Sequence, residues 1–260
     1  MTAPVFQSRT TDRTVTGSAI SYMSPTDLLA TGLARVDRRL TDPRSCVVGD
    51  YTLVAATPAG APHLWSRFVD GAWGSYSRHG VSSVLDVDEV ASGATTTMFY
   101  VVLASDGTML GGVRAQGPYT MIEQSHVLTE WKQSPGLAAV TGRLRERIGD
   151  GIVEMKSAWV EAGRAGRTVS TVLARTALPT LDITGGRFLF ASAADHVLRL
   201  WEISGGRIDV GVPAAAYPNE HYQTQLMWWD ATTIFKNAER AVWADMTRYT
   251  RALSDTAAHA

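Results

Sequence analysis

A carboxylate and an ammonium stand two residues apart in segment 151–163, whose composition is typical of a β-strand. Side chains alternate along a strand, so Glu154 and Lys156 are expected to share one face. That face would also carry Ile152, Ala158 and Val160, and the opposite face would carry Val153, Met155, Ser157 and Trp159. Glu154 on a central strand could act as a general base toward an ammonium group or a bound water molecule. An ion pair between Glu154 and Lys156 is the alternative.

The predicted strand leads into a loop of small residues and arginines, Gly163-Arg164-Ala165-Gly166-Arg167. Small residues let backbone N–H groups turn toward one ligand, and the helix expected after the loop adds the positive end of its dipole. The pattern favours local binding of an anion such as a pyrophosphate. An ordinary exposed turn is the alternative.

Two further places could contact a substrate. Arg114 follows the pair Gly111-Gly112, which allows a ligand or a neighbouring chain to approach closely. Arg114 is therefore either a ligand contact or a surface arginine on a strand. Asp86 and Asp88 could form an acidic patch for a cationic substrate, or they could be solvated or cap the next helix.

The hydrophobic pattern predicts a sheet with helices on its faces, which would position these residues. Strands are expected at 50–57, 98–104, 108–116, 151–163, 187–191, 207–212 and 223–229, and Asp106-Gly107 marks a hairpin turn between the second and third. Helices are expected within 60–80 and at 137–148, 168–177 and 195–204, with an amphipathic helix from 232 onward. The third of these is expected to stop near Pro179. This order of elements indicates an α/β fold with a mixed sheet.

Composition excludes several classes of function. The 260 residues include 24 Lys and Arg against 25 Asp and Glu, a formal charge of −1. Nucleic acids and anionic membranes are bound through surplus basic charge, so neither is an expected partner. The longest apolar run, 98–104, is too short to span a bilayer, and the first residues lack the apolar core of a signal peptide. We therefore expect a cytoplasmic protein.

Cysteine and histidine usage points to neither a disulfide nor a metal. Cys46 is the single cysteine and cannot form an internal disulfide. The six histidines show no spacing typical of metal ligands, so no metal is expected.

Over about residues 50–230 the chain resembles the GNAT superfamily of acyl-thioester-dependent N-acyltransferases. The segment Val160-Glu161-Ala162-Gly163-Arg164-Ala165 retains the Gly and Ala of that family's loop for coenzyme A, and Leu200-Trp201-Glu202-Ile203-Ser204-Gly205 is similar to a later motif. The resemblance implies a mixed, mostly antiparallel central sheet and a general base at Glu154. It assigns the coenzyme to the strand end and loop, Trp159, Val160, Gly163, Arg164, Ala165, Gly166 and Arg167, and to Trp201. Trp201 stands where the family usually has a tyrosine that acts as general acid.

A closer likeness is to the branch with acyl-homoserine-lactone synthases and long-chain N-acyl amino acid synthases. Gly111-Gly112-Val113-Arg114 and Gly117-Pro118-Tyr119-Thr120-Met121-Ile122 are similar to that branch's hairpin motif, and Ser157 replaces an arginine of its Glu-x-x-Arg. The likeness implies substrate contacts at Arg67, Asp86, Asp88 and Arg114. It implies acyl transfer from acyl-CoA or acyl-carrier protein to a small-molecule amine or amino acid. A lactone-forming synthase that uses S-adenosylmethionine, or a non-catalytic acyl-CoA-binding protein, is the alternative.

Three regions are expected along the chain. Residues 1–48 would form an N-terminal extension, 49–231 the acyltransferase-like domain, and 232–260 a C-terminal helix that packs on the domain or on a partner. The amphipathic tail makes a homodimer an expected assembly.

Overall fold

An eight-stranded sheet forms the centre of the computed structural model, which describes residues 40–163 and 166–254. Its order is β1-β2-β3-β4-β5-β6-β8-β7, and every neighbouring pair is antiparallel except β5 and β6. The expected mixed, mostly antiparallel sheet is confirmed. The strands are β1 Arg44–Val48, β2 Tyr51–Ala56, β3 Met98–Leu103, β4 Met109–Gln116, β5 Ile152–Val160, β6 Phe188–Ala194, β7 Arg207–Ile208 and β8 Thr224–Asp230.

Helices cover both faces of the sheet. One face packs against α1 Pro62–Arg78, α2 Val87–Ser92, α3 Val127–Glu130 and α4 Leu137–Arg147. The other face packs against α5 Gly166–Ala174, α6 Ala177–Thr184, α7 Leu198–Glu202, α8 Ile234–Asn237 and α9 Arg240–Ser254. The first face carries two separate apolar clusters, and the polar groups described below lie between them. None of the described helices combines the length and apolarity needed to cross a bilayer.

Most predicted elements are present, with three differences. The helix expected to stop near Pro179 is followed by a second helix, α6, because proline is tolerated in a first turn, where the N–H groups have no partner within the helix. The strand expected at 207–212 is only two residues long, since the chain turns at Asp209. The tail helix is divided by the extended residue Ala238 into α8 and α9.

Strand β1 lies inside the range predicted as an N-terminal extension, and it forms the edge of the sheet. It pairs with β2 and contacts α9, where the Arg44 side chain donates to the backbone oxygens of Leu253 and Ser254. The C-terminal helix therefore packs on the domain itself. Residues 1–39 of the extension and 255–260 of the tail are outside the described residues.

A bulge in β5 reverses the faces of its second half. Gly112 pairs with Trp159 and Arg114 pairs with Lys156, so that two residues of β5, one of them Ser157, face Val113 alone. Ser157 has a φ of 52°. An extra residue shifts the alternation by one, so the expected placement of Trp159 opposite Glu154 is wrong. Trp159 packs under α1 on the same face as Glu154, and Val160 packs against the cluster on the other face.

Strands β5 and β6 separate after a short parallel contact. Their pairing covers Ile152 to Glu154 on β5 and Phe188 to Phe190 on β6, although both strands continue further. Glu154 is the last residue of β5 that pairs with β6. Beyond it, β5 pairs only with β4 among the described strands.

Two glycines of α1 test the position of Trp159. A Cβ at Gly71 would lie 2.1 Å from Cη2 of Trp159, whereas a Cβ at Gly74 would meet only Nη1 of Arg78 at 3.6 Å. We expect Gly71→Ala to lower the free energy of unfolding in urea by about 1–3 kcal/mol through overpacking. Gly74→Ala, the matched control, should raise it by about 0.5–1 kcal/mol, since alanine favours the helix. Equal effects would contradict the packing of Trp159 under α1.

Candidate active site

Glu154 is a buried carboxylate whose two oxygens have different partners. Its side chain is 1% exposed. Oε2 accepts hydrogen bonds from the Tyr119 hydroxyl at 2.6 Å, the Ser125 hydroxyl at 2.9 Å and the His126 backbone N–H at 3.3 Å. Three donors thus satisfy this buried oxygen. Oε1 is left to face the Lys156 ammonium.

Lys156 lies between two carboxylates. Its Nζ is 3.5 Å from Oε1 of Glu154 and 3.8 Å from Oε1 of Glu130, a residue at the end of α3. The ion pair considered from the sequence is therefore present. The Lys156 ammonium contacts only one oxygen of Glu154, and the distance of 3.5 Å is long for an ion pair. The ion pair therefore does not exclude a role for this carboxylate in proton transfer.

The segment that follows β4 delivers the donors to Glu154. Gly117 has a φ of 109°, and a Cβ there would lie 2.6 Å from the Ile152 oxygen, so glycine allows this close turn. The Tyr119 N–H then bonds the Ile152 oxygen at 3.0 Å. A single 3₁₀ turn, Ile122–Gln124, brings the chain back so that Ser125 and His126 face β5.

Burial shifts the pKa values of the groups around Glu154. Burial, and then the charge of Glu154, raise the pKa of the Tyr119 hydroxyl, which therefore remains a proton donor in its hydrogen bond at neutral pH. Burial, together with Lys156, lowers the pKa of His126, so its ring is neutral there. Burial raises the pKa of the Glu130 carboxyl, and the nearby Lys156 opposes this shift. Tyr76 of α1, also buried here, has its pKa raised to about 12.

Arg114 is a buried cation on the same face. It is 2% exposed, and its guanidinium donates to Ser157 Oγ at 3.1 Å, Thr96 Oγ1 at 3.1 Å and Thr95 Oγ1 at 3.3 Å. Among the described side chains its partners are hydroxyls and no carboxylate. Burial accordingly lowers the pKa of Arg114. Glu89 and Glu154 act on this guanidinium electrostatically, but its hydrogen bonds go to hydroxyls, and such a cation is suited to bind an anionic group of a ligand.

The predicted anion loop is described in part. Gly163 has a φ of 139° and open space around it, and Gly166 begins α5, while Arg164 and Ala165 lie outside the described residues. Next to this loop a groove of about 740 Å³ runs between α5 and α7. Its lining residues are Arg167, Ser170, Thr171, Val197, Arg199, Leu200, Ile203 and Glu239.

Other residues predicted for the site lie elsewhere. The indoles of Trp159 and Trp201 are buried in apolar clusters, Trp201 with its ring centre 5.5 Å from that of Trp229. The Arg67 side chain donates to the Gly107 oxygen in the β3–β4 turn at 2.7 Å. Asp86 caps α2 by accepting from the Glu89 N–H at 3.0 Å, which is the alternative considered from the sequence. Asp88 is exposed in the first turn of α2.

Several residues of the site were not identified from the sequence. Ser125, His126 and Glu130 fall in a stretch without a motif, and Tyr119 belonged to a quoted motif without a role of its own. The clustering of polar residues in 119–130 is the one signal that could have pointed to them. Within the described part of the chain, no group of three or more His, Cys, Asp or Glu side chains could hold a metal ion.

The hydrogen bonds to Glu154 can be tested by removing one hydroxyl. Tyr119→Phe removes the 2.6 Å donor. A hydrogen bond to a buried charge is worth about 1.5–3 kcal/mol, so the free energy of unfolding at pH 7 should fall by that amount. Tyr222→Phe is the control, since the Tyr222 hydroxyl bonds no described residue, and it should change stability by less than about 0.5 kcal/mol. Equal stability of the two variants would mean that Tyr119 does not hold Glu154.

Comparison with known proteins gives relatives in sequence and in structure. Uncharacterized proteins of Mycobacterium bovis and Mycobacterium tuberculosis are each 38% identical to this chain over 188 residues, which cover 72% of either sequence. No family model matches the chain. FeeM, an N-acyl amino acid synthase from uncultured soil microbes, superposes with a TM-score of 0.51 at 12% identity, over 77% of this chain and 95% of FeeM. A protein of the yellow fever mosquito, described as arylalkylamine N-acetyltransferase 7, superposes with a TM-score of 0.52 at 10% identity, over 70% and 87%.

Proposed function

We propose that this chain, which belongs to the same family as the mycobacterial proteins and has the GNAT fold, is an N-acyltransferase. It would move an acyl group from a coenzyme A or acyl-carrier-protein thioester to the amino group of a small molecule or amino acid. The observation that supports this most directly is the place of Glu154. Its carboxylate is buried at the point where the pairing of β5 with β6 ends, which is where this proposal places the reacting groups.

The donor would enter on the side of the loop and groove. Gly163 offers room for close backbone approach, and α5 has its N-terminus at Gly166, where N–H groups and the helix dipole favour an anion. Arg167 in the groove adds positive charge. These residues suit a pyrophosphate, and in this proposal the thioester arm would run along the edge of β5 that is not paired with β6. The chain can thus bind an anionic donor although its net charge is near zero.

The reaction would be direct transfer between two bound substrates. Glu154 accepts a proton from the acceptor's ammonium group, directly or through a water molecule. The free amine attacks the thioester carbonyl carbon, an amide bond forms, and the carbon–sulfur bond breaks. The departing thiolate takes up the second proton that the nitrogen loses. A cysteine thiol has a pKa of about 8.5, and a thiolate of similar basicity can leave without a general acid. The buried Trp201 in place of a tyrosine is therefore compatible with this reaction.

Arg114 supports an acceptor that carries a carboxylate. Its guanidinium lies on the same sheet face as Glu154, and β4 pairs Arg114 with Lys156 and Gln116 with Glu154. An α-amino acid could place its carboxylate at Arg114 and its amino group at Glu154. Holding both substrates in one orientation would supply much of the rate.

Glu154→Gln tests the base. The turnover number should fall about 10²–10⁴-fold, which is the usual contribution of a general base. It is measured as free thiol released from a panel of acyl-CoA donors with amine and amino-acid acceptors. Donor binding, measured by calorimetry, should stay unchanged, because the glutamine keeps the shape of the side chain. Glu161→Gln, which removes an exposed carboxylate paired with Arg78, is the control. Unchanged turnover in Glu154→Gln would remove Glu154 as the base.

The preference of the protein between two acceptor substrates tests whether Arg114 binds a carboxylate. For the native protein, an amino acid should be used at a kcat/KM about 10-fold or more above that of the amine lacking its carboxylate, since one charge-assisted contact is worth about 1.5–3 kcal/mol. Arg114→Lys should reduce this ratio by raising KM for the amino acid only. A native preference for the amine would contradict the carboxylate contact.

A further inference from the structure

Glu130 is a second buried carboxylate near the proposed base, and the side chain of Ser192 on β6 and the ammonium of Lys156 both act on it. Its side chain is 6% exposed, and Oε2 is buried without a hydrogen-bond partner in the described part of the chain. Oε1 lies 3.8 Å from the Lys156 ammonium and 3.7 Å from Nδ1 of the neutral His126. Lys156 is therefore the charged group that compensates Glu130.

The same ammonium also compensates Glu154. Lys156 Nζ lies 3.5 Å from Glu154 Oε1, and its side chain is only 12% exposed, so water screens these interactions weakly. When both carboxylates are ionised, the three groups carry a net charge of −1. Uptake of one proton by Glu154 brings them to neutrality.

We propose that Glu130 is a positioning residue that shares the Lys156 ammonium with Glu154 and so keeps Glu154 able to accept a proton. This inference rests on the proposed function, in which Glu154 is the base. With Lys156 paired to Glu154 alone, the ionised carboxylate would be more strongly favoured and would accept a proton less readily. With both carboxylates present, their mutual repulsion offsets part of that stabilisation.

Other charged and titratable groups face this cluster from each neighbouring element. They are Arg114 on β4, Tyr119 after β4, His126 before α3, Tyr76 on α1, Glu89 on α2 and Tyr217 before β8. Burial raises the pKa values of the tyrosines, which stay neutral. Glu89 accepts from the Thr95 hydroxyl at 2.6 Å, and Thr95 in turn contacts Arg114. Arg114 interacts electrostatically with both Glu89 and Glu154. The cluster and these neighbours together therefore hold three carboxylates, Glu89, Glu130 and Glu154, and two cations, Arg114 and Lys156.

The acidic limb of the pH profile of kcat/KM tests the proposal, because activity falls as the base becomes protonated. Glu130→Gln removes the repulsion, so the limb should move to lower pH by about 0.5–1 unit, and the plateau should fall as the base weakens. Lys156→Met removes the compensating cation, so the limb should move to higher pH by at least as much. Glu130→Asp retains the charge and should keep the limb near its native position.

A structural role for Glu130 would give a different result. It would lower activity in both variants without moving the limbs in opposite directions. Shifts of the same sign, or no shift in either variant, would overturn the proposal.

Urea unfolding separates this inference from the proposed function. Lys156→Met leaves two buried carboxylates uncompensated and should lower the urea midpoint, whereas Lys156→Met with Glu130→Gln should recover about half of that loss. If the native protein transfers no acyl group to any acceptor, the proposed function fails, and the midpoints still show whether the charge is shared. Additive midpoint changes would reject the sharing of Lys156 whatever the activity.

Discussion

A carboxylate buried in the middle of a sheet must be supplied with donors, and much of this structure meets that requirement at Glu154. Leaving such a charge without partners would cost several kcal/mol. The turn at Gly117, the path of 119–126 and the start of α3 place a tyrosine, a serine and a backbone N–H on one oxygen. The polar cluster around Glu154 also separates the two apolar clusters on this face of the sheet. The segment that supplies donors to Glu154 thus also contributes side chains to the apolar core on this face.

The two irregularities of β5 have connected consequences. The bulge at Ser157 turns Trp159 under α1, where Gly71 leaves room for its indole, and it brings the Ser157 hydroxyl to Arg114. The end of pairing with β6 after Glu154 opens the strand on its other side. A regular strand would pair with β6 along its whole length. In the proposed function, the unpaired edge of β5 beyond Glu154 is where a ligand would bind.

Charge is balanced locally in this site. Two cations, Arg114 and Lys156, face two carboxylates, Glu154 and Glu130, but the cations are not equivalent. Lys156 is shared by both carboxylates, while Arg114 is held by hydroxyls. In the proposed reaction, Lys156 would adjust the base Glu154 and Arg114 would bind an anionic substrate. A single lysine–glutamate pair would not supply both roles.

The sequence alone was sufficient for the mixed α/β sheet, the hairpin at Asp106-Gly107 and Glu154 as the central carboxylate. Each of these depends on local signals: hydrophobic period, turn residues, or a charged residue within an apolar strand. Only the tertiary structure decided that Trp159 shares the face of Glu154, that Trp201 fills core, that Asp86 is a cap, and that Tyr119, Ser125, His126 and Glu130 surround Glu154. A bulge changes faces without a clear sequence signal, and contacts between residues about 30 positions apart depend on how whole elements pack. Local pattern identifies elements, whereas the neighbours of a buried charge are set by the packing of the complete chain.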